Sequence, residues 1–241
     1  MSLALSMIST GRRLVADSRA YWARVSPVQI PSTLSDDIAW TSKWINSGKV
    51  IDIGCGHSAV LDRLALNGIV GVGVDTNRSA LLEVVNSEAH SVIRVQGDAS
   101  ALPVRTGEFD HALMLALLTI IPDRTERMAV ISEANRALTL GGLLYISEFL
   151  QTPSTETYGE RYRKGFRETG EYGTFLVRDS EGRDLYLAHH FSFEELSGDL
   201  RQNGFYVEYH MSGKVRTRSG NQIDGINIVA RKRSLRPLGG T

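Results

Sequence analysis

The β-branched run Val50-Ile51-Asp52-Ile53 breaks into Gly54-Cys55-Gly56-His57-Ser58-Ala59, and a second such run, Val72-Gly73-Val74-Asp75, follows. Few architectures accommodate this order. β-Branched residues suit strands, two glycines let the backbone turn tightly, and the residues after them open a helix whose first N–H groups have no partner in the helix. Strand, glycine turn, helix and strand make a βαβ unit, which requires parallel strands. Asp75 ends the second strand, where an acid accepts the hydroxyl protons of a ribose. The chain is therefore expected to form an open α/β sheet with a nucleoside site at the carboxyl ends of its strands.

The glycine loop alone is ambiguous, because Gly54-Cys55-Gly56-His57-Ser58-Ala59 also fits the dinucleotide pattern with Ala in the third glycine position. Asp52 argues the other way, since a carboxylate two residues before the first glycine repels a pyrophosphate and suits a cationic amine. A third β-like run, Ser91 to Val95, leads into Gln96-Gly97-Asp98-Ala99, where Asp98 can bond an adenine amino group and Ala99 leaves room for the ring. Phe109 to Leu115 reads as a fourth strand. Ala137 to Ile146 reads as a helix end, a turn at Gly141-Gly142 and a fifth strand.

Together these residues resemble the class I S-adenosylmethionine-dependent methyltransferases, from Lys49 to Phe149 and with every signature in order. The resemblance implies a Rossmann-like doubly wound sheet of about seven strands, the last antiparallel. The implied cofactor is S-adenosyl-L-methionine, with S-adenosyl-L-homocysteine as product. By resemblance Asp52 lies near the methionine amino group, Gly54 and Gly56 line the cofactor, Asp75 holds the ribose and Asp98 contacts adenine. Cys55, Thr76, Ala99, Leu115 and, from the N-terminal segment, Tyr21 complete the expected cofactor site. Ser58 departs from the third glycine of many members, though a small residue still fits.

Formal net charge is zero, with 27 basic and 27 acidic residues, so no global field draws the chain to nucleic acid or an anionic membrane. No apolar run approaches the ~20 residues of a membrane span, and the single cysteine gives neither a disulfide framework nor a multi-cysteine metal site. The expected setting is cytoplasmic, the expected partner a small-molecule acceptor, and a homodimer is compatible with the reading. Rival readings are a peptide-modifying methyltransferase, an NAD-dependent oxidoreductase, which leaves Asp52 beside a pyrophosphate, and a non-catalytic cofactor-binding protein.

The single domain divides into an N-terminal helical lid (1–48), a cofactor core (49–150), a substrate cap (151–190), a C-terminal helix and strand pair (191–232) and a basic tail (233–241). In the lid, Ser35 is read as an N-cap, and Tyr21, Trp22 and Arg24 as residues over the cofactor or seating a helix on the core. Asp123 with Glu126 and Ser192 with Glu195 read as capping boxes. The cap reads as a helix, Thr155 to Arg167, and a hairpin flanking Asp179-Ser180-Glu181-Gly182, and follows the fifth strand.

Methyl transfer is an in-line displacement that positioning and water exclusion accelerate, and a general base assists when the acceptor must lose a proton. Candidates for acceptor chemistry are His189, His190, Glu148 and Tyr158. Neighbours in an extended segment face opposite sides, so at most one of the two histidines faces the site. His57 could touch the cofactor or acceptor, and Arg161, Arg163, Lys164 and Arg167 read as a solvated helix face or a carboxylate-binding group. Leu115-Ala116-Leu117-Leu118 replaces the Asn/Asp-Pro-Pro-aromatic motif of base-amine methyltransferases, which favours a small organic acceptor. No acid cluster of the metal-dependent catechol type occurs, so no metal is expected.

Overall fold

A computed structural model describes residues 18–26, 41, 43–57, 59–83, 91–216 and 221–233. The expected N-cap at Ser35, the Ser58 position, the end of the second core helix and the basic tail beyond Arg233 lie outside them. Strands β1 (Lys49–Ile53), β2 (Val70–Asp75), β3 (Val92–Gln96), β4 (Phe109–Leu115), β5 (Leu138–Phe149), β8 (Phe205–Arg216) and β9 (Gln222–Lys232) form a seven-stranded sheet in the order β3-β2-β1-β4-β5-β9-β8. The first five are mutually parallel, and β9 runs antiparallel to both β5 and β8. Strand order reverses at β1, between β2 and β4, which opens a crevice at their carboxyl ends.

Alternation along the strands feeds two cores. Ile51, Ile53, Ala112, Met114, Leu144 and Ile146 face helices α3 (Arg124–Ala137) and α5 (Phe193–Gln202). Their neighbours Val50, Leu113 and Tyr145 face α1 (Ala59–Ala65) on the other side. A short helix, α2 (Arg78–Leu82), follows β2 with Asn77 as its N-cap. The expected turn before β5 is instead a continuation of that strand: pairing with β4 resumes at His111↔Leu143 after an irregularity that Gly141 allows with a φ of 78°.

Both capping boxes form by half. Asp123 accepts from the Glu126 N–H and Ser192 from the Glu195 N–H, but Glu126 turns its carboxylate to Arg19 and Glu195 turns to His189.

The cap consists of α4 (Glu156–Thr169) and an antiparallel hairpin, β6 (Thr174–Arg178) with β7 (Asp184–His189). Helix and hairpin meet at Gly165, where an added Cβ would lie 1.8 Å from the Thr174 carbonyl oxygen. The chain leaves the core at Leu150 and returns at Phe191, and these residues bridge each other, with Phe191 N–H bonded to the Phe149 carbonyl at 3.0 Å. Residues 18–22 are helical and tie the cap to the core. Ser18 Oγ accepts from the Leu187 N–H at 2.8 Å, while Asn77 Nδ2 donates to the Trp22 and Val25 carbonyls.

Candidate active site

The carboxyl ends of β1, β2 and β4 and the inner wall of the cap enclose one cavity of about 210 Å³. The glycine loop forms its floor. Gly54 and Cys55 donate their N–H groups to the Val74 carbonyl, and Gly54 takes a φ of 74° with its missing Cβ only 2.6 Å from Leu117 Cδ1. A side chain there would be strained and would strike Leu117, two residues past β4, so the turn requires glycine.

Asp52 is 3% exposed, lines the cavity, and has no hydrogen bond or ion pair to its carboxylate among the described residues. Burial, then repulsion from Asp75, pushes it up to about 7. Asp75 accepts from Gly56 N–H and Asn77 N–H at 2.8 Å each, and burial still outweighs these bonds and raises it. Two carboxylates with no cation bonded to either among the described residues therefore share one wall. That arrangement suits a ligand carrying positive charge and hydroxyl groups, and disfavours a pyrophosphate.

Cys55, Thr76, Ala99 and Leu115 line the same cavity, as does His57. Asp98 and Tyr21 do not. Burial alone would raise Asp98, but the Ser100 hydroxyl and N–H bonds and Arg19 at 3.7 Å hold it below the usual range, and its neighbours Gly97 and Ala99 provide the wall. Tyr21 stands behind, 5.0 Å from the Tyr186 ring, and Trp22 takes the lining position, while Arg24 is exposed.

Of the acceptor-side candidates, His190 and Tyr158 line the cavity; His189 and Glu148 do not. Glu148 is fully buried and accepts from the Leu118 and Thr119 N–H groups at 2.7 and 3.2 Å, which anchors the turn after β4; burial nevertheless pushes it up to about 8. His189 points away from its neighbour, with Nδ1 2.7 Å from Thr174 Oγ1 and Nε2 3.0 Å from Glu195. Glu171 and Glu195 flank it, and the fully buried Arg127 guanidinium supplies the positive charge between them, so this cluster is a salt-bridged brace for the cap.

His190 is enclosed by Phe149, Tyr158, Tyr162 and Phe175, with Nδ1 2.8 Å from the Tyr162 hydroxyl. Burial, and then the charges of His189 and Arg161, lower it to about 3, so the ring is neutral at ordinary pH. Reading the sequence as a helix face and a hairpin did not single out Phe175, Val177, Tyr186 or Ala188, nor Phe149 at the end of β5, all of which line the cavity. Ala116, also in the wall, has a φ of 55°, uncommon for a residue with a Cβ and invisible in the local sequence.

A methyltransferase-domain family model matches residues 51–146. Over 156 residues the chain is 30% identical to the 27-O-demethylrifamycin SV methyltransferase of Amycolatopsis mediterranei, a match covering 60% of this chain and 56% of that protein. The chain thus spans little more than half the length of this curated relative. A solved S-adenosylmethionine-dependent methyltransferase of Methanosarcina mazei is 33% identical, with a TM-score of 0.74 over 81% of this chain and 97% of its own. The CcbJ methyltransferase of Streptomyces caelestis, at 12% identity and a TM-score of 0.64, covering 89% of this chain and 98% of that one, shares the fold. The chain belongs to the S-adenosylmethionine-dependent methyltransferases, and S-adenosylmethionine is its cofactor. No described helix is long and apolar enough to cross a membrane.

Proposed function

We propose that this chain methylates an oxygen or nitrogen of a small-molecule acceptor held between the strand ends and the cap. The observation that carries the reading is that one cavity joins Asp52 and Asp75 of the core to the aromatic wall of the cap. When bound, S-adenosylmethionine supplies a sulfonium methyl group, whose S–C bond breaks as the acceptor atom bonds to the carbon, leaving a neutral thioether, and the proton of a hydroxyl or amine acceptor is released to solvent. Asp52 would face the cofactor's ammonium group, Asp75 its ribose, and Ala99 with Gly97 its adenine. Phe149, Tyr158, Phe175 and Tyr186 exclude water from the other half, which favours displacement by positioning.

His190 serves as a hydrogen-bond donor to the acceptor in this reading. The Tyr162 hydroxyl accepts from the Thr152 N–H at 3.3 Å and has, among the described residues, no acceptor for its own proton other than His190 Nδ1, so we assign the hydrogen of the neutral ring to Nε2. The relative from Amycolatopsis is named for an O-demethylated substrate, which supports oxygen over nitrogen. A cytoplasmic setting fits a chain whose single cysteine, Cys55, has no second cysteine with which to form an internal disulfide.

The test is turnover of S-adenosylmethionine against a panel of hydroxylated and aminated small molecules and, separately, short peptides, with the methylated product identified by mass spectrometry. Methylation of small molecules is expected. Methylation of peptides alone, or cofactor binding with no transfer to any panel member, would overturn the reading.

A further inference from the structure

The acceptor half of the cavity presents hydrogen-bond donors and one cation. Arg161 lines it from α4, half-buried, with its guanidinium carbon 5.1 Å from the centre of the Tyr158 ring and 5.9 Å from that of Phe175. No carboxylate pairs with it among the described residues. Other arginines drawn into the protein do pair: Arg94 with Asp62, Arg127 with Glu171 and Arg136 with Glu133. The Tyr158 hydroxyl, on a side chain 3% exposed, likewise has no hydrogen-bond partner among the described residues, although it lines the cavity. His190 Nε2 has none either. A guanidinium taken partly out of water without a counter-charge is costly, and stacking on rings leaves its planar fork free for a carboxylate.

Resting on the methyltransferase reading of the same cavity, we propose that the acceptor is an aromatic carboxylate, its ring packed among Phe149, Phe175 and Tyr186 and its carboxylate bound by Arg161. Tyr158 and His190 provide the remaining donors. Arg161 is then the residue that determines specificity, and it distinguishes an acid from an amide or ester of the same shape. The cavity's own carboxylates, Asp52 and Asp75, sit on β1 and β2 and repel an anion from the cofactor half, which orients the acceptor.

The test uses full-length protein saturated with S-adenosylhomocysteine and a panel of aromatic acids paired with their primary amides: benzoate, 4-hydroxybenzoate and 1-naphthoate against benzamide, 4-hydroxybenzamide and 1-naphthamide. Titration calorimetry is expected to show at least one acid binding about tenfold or more tighter than its amide, the scale of one charge-assisted pair. In Arg161→Met that preference should vanish, in Arg161→Lys it should persist in part, and S-adenosylhomocysteine affinity should be unchanged in both. Equal binding of acids and amides, no binding of either, or an acid preference that survives Arg161→Met overturns the proposal. Loss of S-adenosylhomocysteine binding in Arg161→Met also overturns it, since Arg161 would then serve the cofactor. Should the variants fail to fold, the wild-type acid-to-amide ratio decides alone. Failure of wild-type protein to bind S-adenosylhomocysteine would instead refute the methyltransferase reading, and the acid-to-amide ratio would still be read on the free protein.

Discussion

The Tyr162 hydroxyl and His190 Nδ1 stand 2.8 Å apart and share a hydrogen bond inside the aromatic wall of the cap. Because burial and neighbouring positive charge lower His190 to about 3, the ring is neutral above pH 4 and has no proton to gain across the working range. The imidazole resonances of His190 should therefore not titrate between pH 5 and 8, and the kcat/KM profile should contain no limb from it. In Tyr162→Phe the Thr152 N–H loses its acceptor and Nδ1 its donor, for a loss of about 1–3 kcal/mol measured by denaturant titration. A His190 titration near 6.5 in the wild-type protein would contradict this assignment.

With Asp52 facing the ammonium group as proposed, cofactor binding should depend on pH. The free carboxyl titrates at about 7, and a cationic amine selects its ionised form, so below pH 7 each binding event must release a proton. Affinity for S-adenosylmethionine should rise with pH up to about 7 and then level off, by up to about tenfold per unit below that point. Calorimetry in buffers of different ionisation enthalpy should show proton release at pH 6 that fades by pH 8. Affinity that is flat from pH 5.5 to 8 would separate Asp52 from the ammonium group.

Glu148 is expected to act on stability ahead of chemistry. Truncation in Glu148→Ala orphans the buried Leu118 and Thr119 N–H groups and should cost about 2–4 kcal/mol, lowering Tm by roughly 5–15 °C. A variant of normal Tm with abolished turnover would mean that this carboxyl reaches the reacting atoms.

Gly165→Ala tests the cap by itself. Its new methyl group would collide with the Thr174 carbonyl, and the helix and hairpin must part, at a cost of about 1–3 kcal/mol or more. Hydrogen exchange should accelerate in β6 and β7 and KM for the acceptor should rise, with affinity for S-adenosylmethionine preserved. Equal weakening of both ligands would show that the cap also supports the cofactor half.

The parallel core was readable because its central strands carry short apolar runs, Val50-Ile51 and Ala112 to Met114, that are buried on both faces, and the glycine turn admits no alternative residue at Gly54. Capping boxes were readable only as far as the backbone bond. The carboxylates of Glu126 and Glu195 answer to Arg19 and His189, partners distant in sequence, and tertiary charge outcompetes a local N–H. Asp98 stands in the signature position, yet its carboxylate turns to Ser100 and Arg19, so motif position alone did not give side-chain direction. Arg161 did leave a trace: Tyr158, Tyr162 and Gly165 are buried at helical spacing, and Arg161 falls on that same stripe, apart from the exposed Arg163, Lys164 and Arg167. Reading the four charges as one face hid it.

The side-by-side departure and return of the chain at Leu150 and Phe191 has a consequence for how such a protein changes over generations. An excursion whose ends already touch can be lengthened, shortened or exchanged without altering the register of β5 or the start of α5, and the closure cost grows only slowly with its length. On the proposed reading, acceptor choice is thereby separated from cofactor choice in the gene itself: mutations in the span between these residues can explore new substrates while the sheet that holds the methyl donor is inherited intact.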